Sequence, residues 1–513
     1  MCDHHCDHQS HLGRRAFLAT GAAVTTTAAL LEFEPAGAGT TRTKTFKGEF
    51  TDPSTPNWHY LPFRMPSGVR EVEVDYSFQP ADTGLGFSYN VVDIGIFDPS
   101  GHELGNAHGF RGWSGGARRH FRISRTSATP GYLPGPMTPG VWHVLVGPYM
   151  IVPPGTPYEV TVTLHFGKQG PAFVPRPAPR RVKGTGPGWY RGDLHLHTLH
   201  SDGKRTQPEM IRAARQAGLD FINSSDHNTS SAQLYWGRHT PDDFLVISGE
   251  EVTTRDGHWL AVGLPAGSWI DWRYVHTDAG RLTRFTDQVR GLGGMAIAAH
   301  PFNPLQSIRW GFGYDYADLD AVEIWNGPWT GDDQTAVEHW HDLLVSGAYL
   351  PVVGNSDSHT PEQKVGLAQT IVRASTLSVG AVLAGLKGGH AWVAESSVVG
   401  LVFEATLGDA KAECGDRLDA AADAVVDVRL ELTGVPGCLA QVRGPAGVLA
   451  GAVADDTGKV AVTVRVPVGA TPFVRAEVRR PDDVVVSPVD DFPGLPMVAL
   501  TNPIFLGAAT SAG

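Results

Sequence analysis

Between residues 193 and 359 the chain repeatedly places histidines and carboxylates at the ends of short apolar runs. Strands are expected at Asp193–His197, Phe221–Ser225, Leu245–Val252, Trp259–Val262, Met295–Ala299, Ala321–Trp325, Leu350–Gly354 and Gln369–Val372. Helical periodicity lies between several of them, at Pro208–Ala217, Arg284–Gly291, Asp332–Val345 and Val379–Leu386. Polar groups follow the runs in turn: His195/His197, Asp226-His227, Glu250-Glu251, His300, Asn326 and Asp357/His359. A β/α barrel brings such strand ends together on one face, where barrels carry their sites. Residues i and i+2 of a strand point the same way, so His195 and His197 can grip one ion, and so can Asp357 and His359.

The distribution of histidine supports a metal centre in the middle of the chain. Of 22 histidines, 12 lie from His195 to His390 and none follows. His339-Trp-His341 is a control for the spacing argument. It falls in an expected helix, where positions two apart diverge by roughly 200°, so both read as solvated helix positions. His200 is expected near the site without binding metal; His239, His276 and His390 default to structural roles. The formal charge of −12, without a long Lys/Arg run, excludes a nucleic-acid-coating protein.

Asp193-Leu-His-Leu-His-Thr, Ser201-Asp202-Gly203, Ser225-Asp226-His227, Gly249-Glu250, His258, Ala299-His300-Pro301 and Asn355-Ser-Asp357-Ser-His359 resemble, in order, the motifs of PHP-domain (polymerase and histidinol phosphatase) metallohydrolases. The resemblance covers about residues 188–397. It implies a distorted (β/α)7 barrel, one strand fewer than the eight counted here, with a two- or three-metal cluster. It also implies nine ligands: His195, His197, Glu250 and Asp357 for a first metal; Glu250, His258 and His300 for a second; Asp202, His227 and His359 for a third. Ser225 stands where Thr is commoner. Mixed His/carboxylate ligation suits Zn, Mn and Fe alike.

The flanks divide the chain further. Alternating runs such as Val69-Arg-Glu-Val-Glu-Val-Asp-Tyr predict an N-terminal β-sandwich over 45–170, and the proline-rich stretch 171–187 reads as a linker. The metal-binding block occupies 188–397, and a C-terminal β domain is expected over 398–508. Residues 1–38 read as a twin-arginine signal: Arg14-Arg15, an apolar run from Ala16 to Leu31, and a small-residue cleavage site at Ala36-Gly37-Ala38. Sixteen residues are short for a membrane span, so no stable anchor is expected. The expected partner is the twin-arginine translocation machinery, and the destination is the cell envelope or the exterior. Cys2 and Cys6 would leave with the signal. Outside the cell a disulfide between Cys414 and Cys438 is permitted. An exported barrel between two β domains, ending Ala499-Leu-Thr-Asn-Pro-Ile-Phe, resembles the CehA/McbA group, which includes carbaryl hydrolases.

No Gly-X-Ser-X-Gly elbow and no Cys/His pair occurs in the barrel, so the nucleophile expected is a metal-activated water near Glu250 and Asp357. Phosphoester hydrolysis of a small-molecule or polymer substrate is the first reading. Hydrolysis of carboxyl or carbamate esters or amides by the same metals is the second. The third is a non-catalytic secreted binding protein with a relict barrel. Arg309, in the loop after His300, and Asn326, after Ile324-Trp325, are candidate substrate contacts.

Overall fold

The computed structural model describes residues 28–51, 57–79, 90–152, 155–305, 308–481 and 486–508. Arg14, Arg15, Cys2 and Cys6 lie outside the described residues. The described end of the expected signal is part of the fold. Leu31 and Glu32 pair in parallel with Phe63 and Arg64, and Phe33, 4 % exposed, enters the sandwich core. Cleavage after Ala38 would remove that strand and ring.

Strict alternation builds the N-terminal sandwich. In Val69–Phe78, Val72, Val74 and Tyr76 are buried between more exposed Glu71, Glu73 and Asp75, the pattern of a strand with one wet face. Its sheet runs Thr41–Phe50, Thr156–Phe166, Val69–Phe78, His120–Ser124. The facing sheet runs Leu31–Glu32, His59–Met65, Gly140–Met150, Val91–Phe97, Phe110–Gly115. This second sheet is covered on both sides. Val92, Ile94 and Ile96 face the partner sheet, whereas Phe97, Phe110, Trp113 and Leu145 join Trp259, Trp272 and Tyr274 of the middle block in one core. Phe110 stacks on Trp269 with ring centroids 4.0 Å apart.

The stretch 171–187 is extended but pinned. Phe173 N donates to Arg125 O, Arg176 N to Leu234 O and Val182 N to Leu377 O. Beyond it the expected strands and helices appear, with one shift. The first strand is Gly188–Asp193, so His195 and His197 lie just past its end. The helix Gln207–Gln216 starts where the sequence provides a Thr206/Glu209 capping box and an early proline, which satisfy or remove orphan N–H groups.

Regular (β/α)7 alternation is not what forms. The sheet runs Val352–Asn355, Ala321–Asn326, Met295–Ala299, Gly257–Val262, Leu245–Thr254, Phe221–Ser224, Gly188–Asp193, Gln369–Ala374, Ala391–Ala394. Leu245–Thr254 and Gly257–Val262 make a tight antiparallel hairpin with no helix between them. The loops following the strands Gly188–Asp193 and Val352–Asn355 meet at a single parallel bridge, Leu196 to Ser358.

The C-terminal block is built into this same sheet instead of standing apart from it. Ala391–Ala394 pairs with Met497–Thr501, and Phe473–Arg479, Leu439–Gly444 and Gly447–Val453 extend the ladder. A four-stranded sheet carrying Phe403, Val428 and Leu430 packs over Val442, Val474 and Val478. Cys414 and Cys438 are buried thiols in this core, and no disulfide joins them. Asn502 fastens the junction. Its amide donates to Val352 O and Ala391 O, and its carbonyl accepts from Val352 N and the Tyr349 hydroxyl. Asn502→Ala leaves the buried Val352 main chain unpaired, at about 1–3 kcal/mol per group. Urea denaturation followed by tryptophan emission is expected to show a loss of about 3 kcal/mol. A shift under about 0.5 kcal/mol, the size of an ordinary surface change, would contradict the role given to Asn502.

Candidate metal centre

Main-chain hydrogen bonds lock the first and last motifs together. Asp357 N donates to His195 O (2.8 Å) and His197 N to Ser358 O (3.0 Å). Asp193, fully buried, ties the two loops further. It accepts from His195 N, Ser356 N, the Ser356 hydroxyl and Gly366 N. Burial still pushes its carboxyl up to about 6 against those bonds. Asp357 and His300 adopt left-handed backbone, φ 46° and 31°. Residues other than glycine hold that conformation at a cost, commonly where a site requires it.

Eight of the nine expected ligands converge. His195, His197 and Asp357 form one group, and His197, Asp202, His227 and His359 another. The second expected group is present with one correction: the shared carboxylate is Glu251, not Glu250. Glu251 joins His195 and His300 on one side and His227 and His258 on the other. The reason is strand register. Across the hairpin Glu251 pairs with Leu260 and Thr253 with His258, which puts Glu251 on the histidine face. Glu250 points the other way, to the layer holding Val252, Trp259 and Ala261. There its Oε2 accepts from Ile270 N (3.1 Å), and burial pushes its carboxyl well above the usual range, with Asp271 adding to the effect.

The donor atoms fit a metal. His195 Nε2, His197 Nε2, His258 Nε2, His300 Nδ1, Asp202 Oδ1, Glu251 Oε2 and Asp357 Oδ1 are buried without a hydrogen-bond partner among the described residues. Buried polar atoms are ordinarily paired, so these orphans, all on residues of the overlapping His/carboxylate groups, call for cations. His195 Nε2 is 3.2 Å from both Glu251 Oε2 and Asp357 Oδ1, and His197 Nε2 is 3.3 and 3.0 Å from the same atoms. Ligands ~2.1 Å from a common ion stand roughly 3.0–3.4 Å apart, the same spacing.

The surrounding charges are consistent with the same assignment. Burial opposes ionisation of Glu251, but His227, His195 and His258 outweigh it and hold the carboxyl well below the usual range. Asp357 is held low in the same way, by His195, His197 and His359. Burial, reinforced by His359 and His227, pushes His197 down to about 3, and burial pushes His258 down to about 4. His227 goes up to about 9 because Glu251 and Asp202 overcome its burial.

Glu323 belongs to the site and escaped the sequence reading. Its Oε1 lies 3.2 Å from His195 Nδ1, and its Oε2 accepts from His300 N. A carboxylate on Nδ1 fixes the proton there and leaves the Nε2 lone pair for metal. The available signal was a single charge within the apolar run Ala-Val-Glu-Ile-Trp. Asn326 reaches the cluster, donating to Glu323 Oε2 (3.0 Å) and Asp357 Oδ2 (3.4 Å), which makes it an orienter of carboxylates. Arg309 is exposed and makes no contact with the cluster among the described residues. Ser225 both donates to and accepts from the Leu196 main chain, so it serves in place of the commoner Thr.

The remaining histidines fall outside the cluster. His200 bonds Ser231 Oγ (2.8 Å) instead of joining it. His339 binds Tyr314 O and packs on Phe302 and Tyr316, and His341 is half-buried against Arg475, so neither is the solvated position expected.

No family model matches the chain. A protein of Methanocaldococcus jannaschii without an assigned function is 24% identical over 152 residues, 26% of this chain and 81% of that protein. Among solved structures, a two-domain Bacteroides vulgatus protein described as containing a PHP-like metal-dependent phosphoesterase is 17% identical. It covers 66% of this chain and 100% of its own, with a TM-score of 0.35. A Bifidobacterium adolescentis protein described as a metal-dependent phosphoesterase is 19% identical over 34% of this chain and 90% of its own (TM-score 0.26). A Chromobacterium violaceum amidohydrolase with bound sulfate and no metal is 18% identical over 34% and 89% (TM-score 0.26).

Glu251→Gln removes the charge shared between the two ligand groups, and elemental analysis is expected to find at least one ion fewer per chain. Glu250→Gln changes a carboxyl that faces away from the histidines into an amide of the same size and is expected to keep full metal, as is His339→Ala. Loss of metal from Glu250→Gln with none from Glu251→Gln would reverse the register assignment.

Proposed function

We propose that the chain is an exported, PHP-type metal-dependent hydrolase acting on phosphoesters, with the middle block as a distorted barrel of that family. The observation that carries the reading is the overlap of buried His, Asp and Glu251 side chains in groups whose ligand atoms lie within reach of one ion. Divalent ions there would supply water activation and neutralise charge building on the ester oxygens. The chain's own residues do the rest. Glu251 and Asp357 bring negative charge between the imidazoles, so that cations can lie close together. Glu323 holds His195 in the tautomer that faces the cluster, and Asn326 steadies Asp357. Phosphoesters are favoured over carboxyl and carbamate esters because a cation cluster binds anionic oxygens well even on a chain of net charge −12. The single bridge from Leu196 to Ser358 supports the barrel reading.

The decisive experiment is a hydrolysis screen of Mn- and Zn-loaded protein over phosphomonoesters, phosphodiesters, aryl carboxyl esters and carbamates. Phosphoester turnover is expected, abolished by chelator, restored by metal, and about 10²-fold or more lower in Glu251→Gln. Turnover of carboxyl esters or carbamates alone would replace the phosphoester reading. Full metal occupancy with no turnover of any class would favour a binding protein.

Export is proposed on Arg14-Arg15 and the apolar run behind them. Arg14→Lys with Arg15→Lys is expected to retain the protein in the cytoplasm. N-terminal sequencing of the exported form is expected to find Phe33 still attached; a start near Gly39 would contradict the strand at Leu31–Glu32.

A further inference from the structure

The cavity over the metal cluster has a wall that does not belong to the metal-binding block. It encloses about 430 Å³, within the range of small-molecule sites. Asp202, His227 and His258 line it on the metal side, and Asp93, Trp113 and Tyr149 of the N-terminal sandwich line it on the other.

Strand alternation aims these sandwich residues at the site. In Val91–Phe97, Val92, Ile94 and Ile96 fill the sandwich core, which turns Asp93 toward the middle block. Asp93 is 8 % exposed; burial pushes its carboxyl up to about 6 against the charges of Arg255 and His227, and among the described residues it makes no hydrogen bond or close ion pair. The nearby Arg255 places its guanidinium on the Tyr149 ring, 4.5 Å from the centroid, and on Asn57 O at 3.3 Å. The buried indole N–H of Trp113 also finds no acceptor among the described residues. Buried polar groups left without protein partners at a cavity wall are the groups a ligand satisfies.

We propose that Asp93 is a specificity residue. In this assignment the sandwich wall selects small esters whose non-reacting arm carries a protonated amine, which donates to the Asp93 carboxylate while the ester lies at the metal cluster. An ammonium suits the position because an ionised carboxylate offers acceptors only. Charge-assisted bonds of this kind are also the strong ones in a desolvated site. The proposal rests on the hydrolase reading for its rates, but its binding arm does not.

The test compares 4-nitrophenyl 2-aminoethyl phosphate with 4-nitrophenyl ethyl phosphate on metal-loaded wild type and Asp93→Asn. The quantity read is the ratio of the two kcat/KM values. Wild type is expected to prefer the amine-bearing ester by about tenfold or more, and Asp93→Asn to bring the ratio within about twofold of one. Metal content should be equal in the two proteins, which separates loss of recognition from loss of the cluster. If Asp93→Asn does not fold, Asp93→Ser replaces it. A wild-type ratio near one, or a preference that survives in the variant, overturns the proposal and leaves the hydrolase reading intact. If neither ester is hydrolysed, the hydrolase reading has failed on these substrates, and calorimetric titration with phenethylamine decides the role of Asp93 alone. Binding by wild type weakened at least about tenfold in the variant supports it, and equal or absent binding overturns it.

Discussion

Glu251 is fully buried and faces five histidines, His195, His197, His227, His258 and His300. A carboxylate desolvated to that degree is costly unless opposite charge offsets it. Protonated imidazoles can offset it only by repelling one another across the same few ångströms. Cations shared among neutral imidazoles remove both problems. Much of the surrounding structure serves this arrangement: the Asp193 clamp between two loops, the Glu323 carboxylate behind His195, and the left-handed turns at His300 and Asp357.

How much of this could be read from the sequence depended on whether a feature is local. The His-X-His pair, the Asp357/His359 pair and the helical control at His339 are short-range patterns, and the structure puts the first two pairs in the cluster and His339 outside it. The choice between Glu250 and Glu251 is not local, since adjacent strand residues face opposite sides. The hairpin could have decided it. A tight turn at Arg255-Asp256 pairs Thr253 with His258, which places Glu251, two residues back, on the histidine face. Glu323 was harder, because it becomes informative only once its strand lies beside that of His300.

The flanking regions were legible as β structure and silent about their purpose. Alternation in Val91–Phe97 marks a strand but cannot say that its other face meets a second domain. The aromatic interface of Phe110, Trp113, Trp269 and Trp272 explains why the sandwich is held firmly enough to form one side of a cavity. The N-terminal edge of the sandwich was hard to place for a related reason. Small residues at Ala36-Gly37-Ala38 look cleavable in isolation, and only pairing with Phe63 shows that Leu31 already belongs to the sandwich.

Asn502 has a consequence in time as well as in space. The strand Val352–Asn355, which delivers Asp357, draws hydrogen bonds from a residue about 150 positions later, and Ala391–Ala394 takes its neighbour from Met497–Thr501. Contacts of that sequence separation form late, because the intervening loop must be closed before they repay its entropy. During synthesis, therefore, every metal ligand is out of the ribosome well before the scaffold that positions them is finished. For that interval the chain exposes loose histidines and carboxylates able to take up whichever ion is abundant around it. Any ion taken up before residue 502 is made would meet these side chains without the finished geometry to select it.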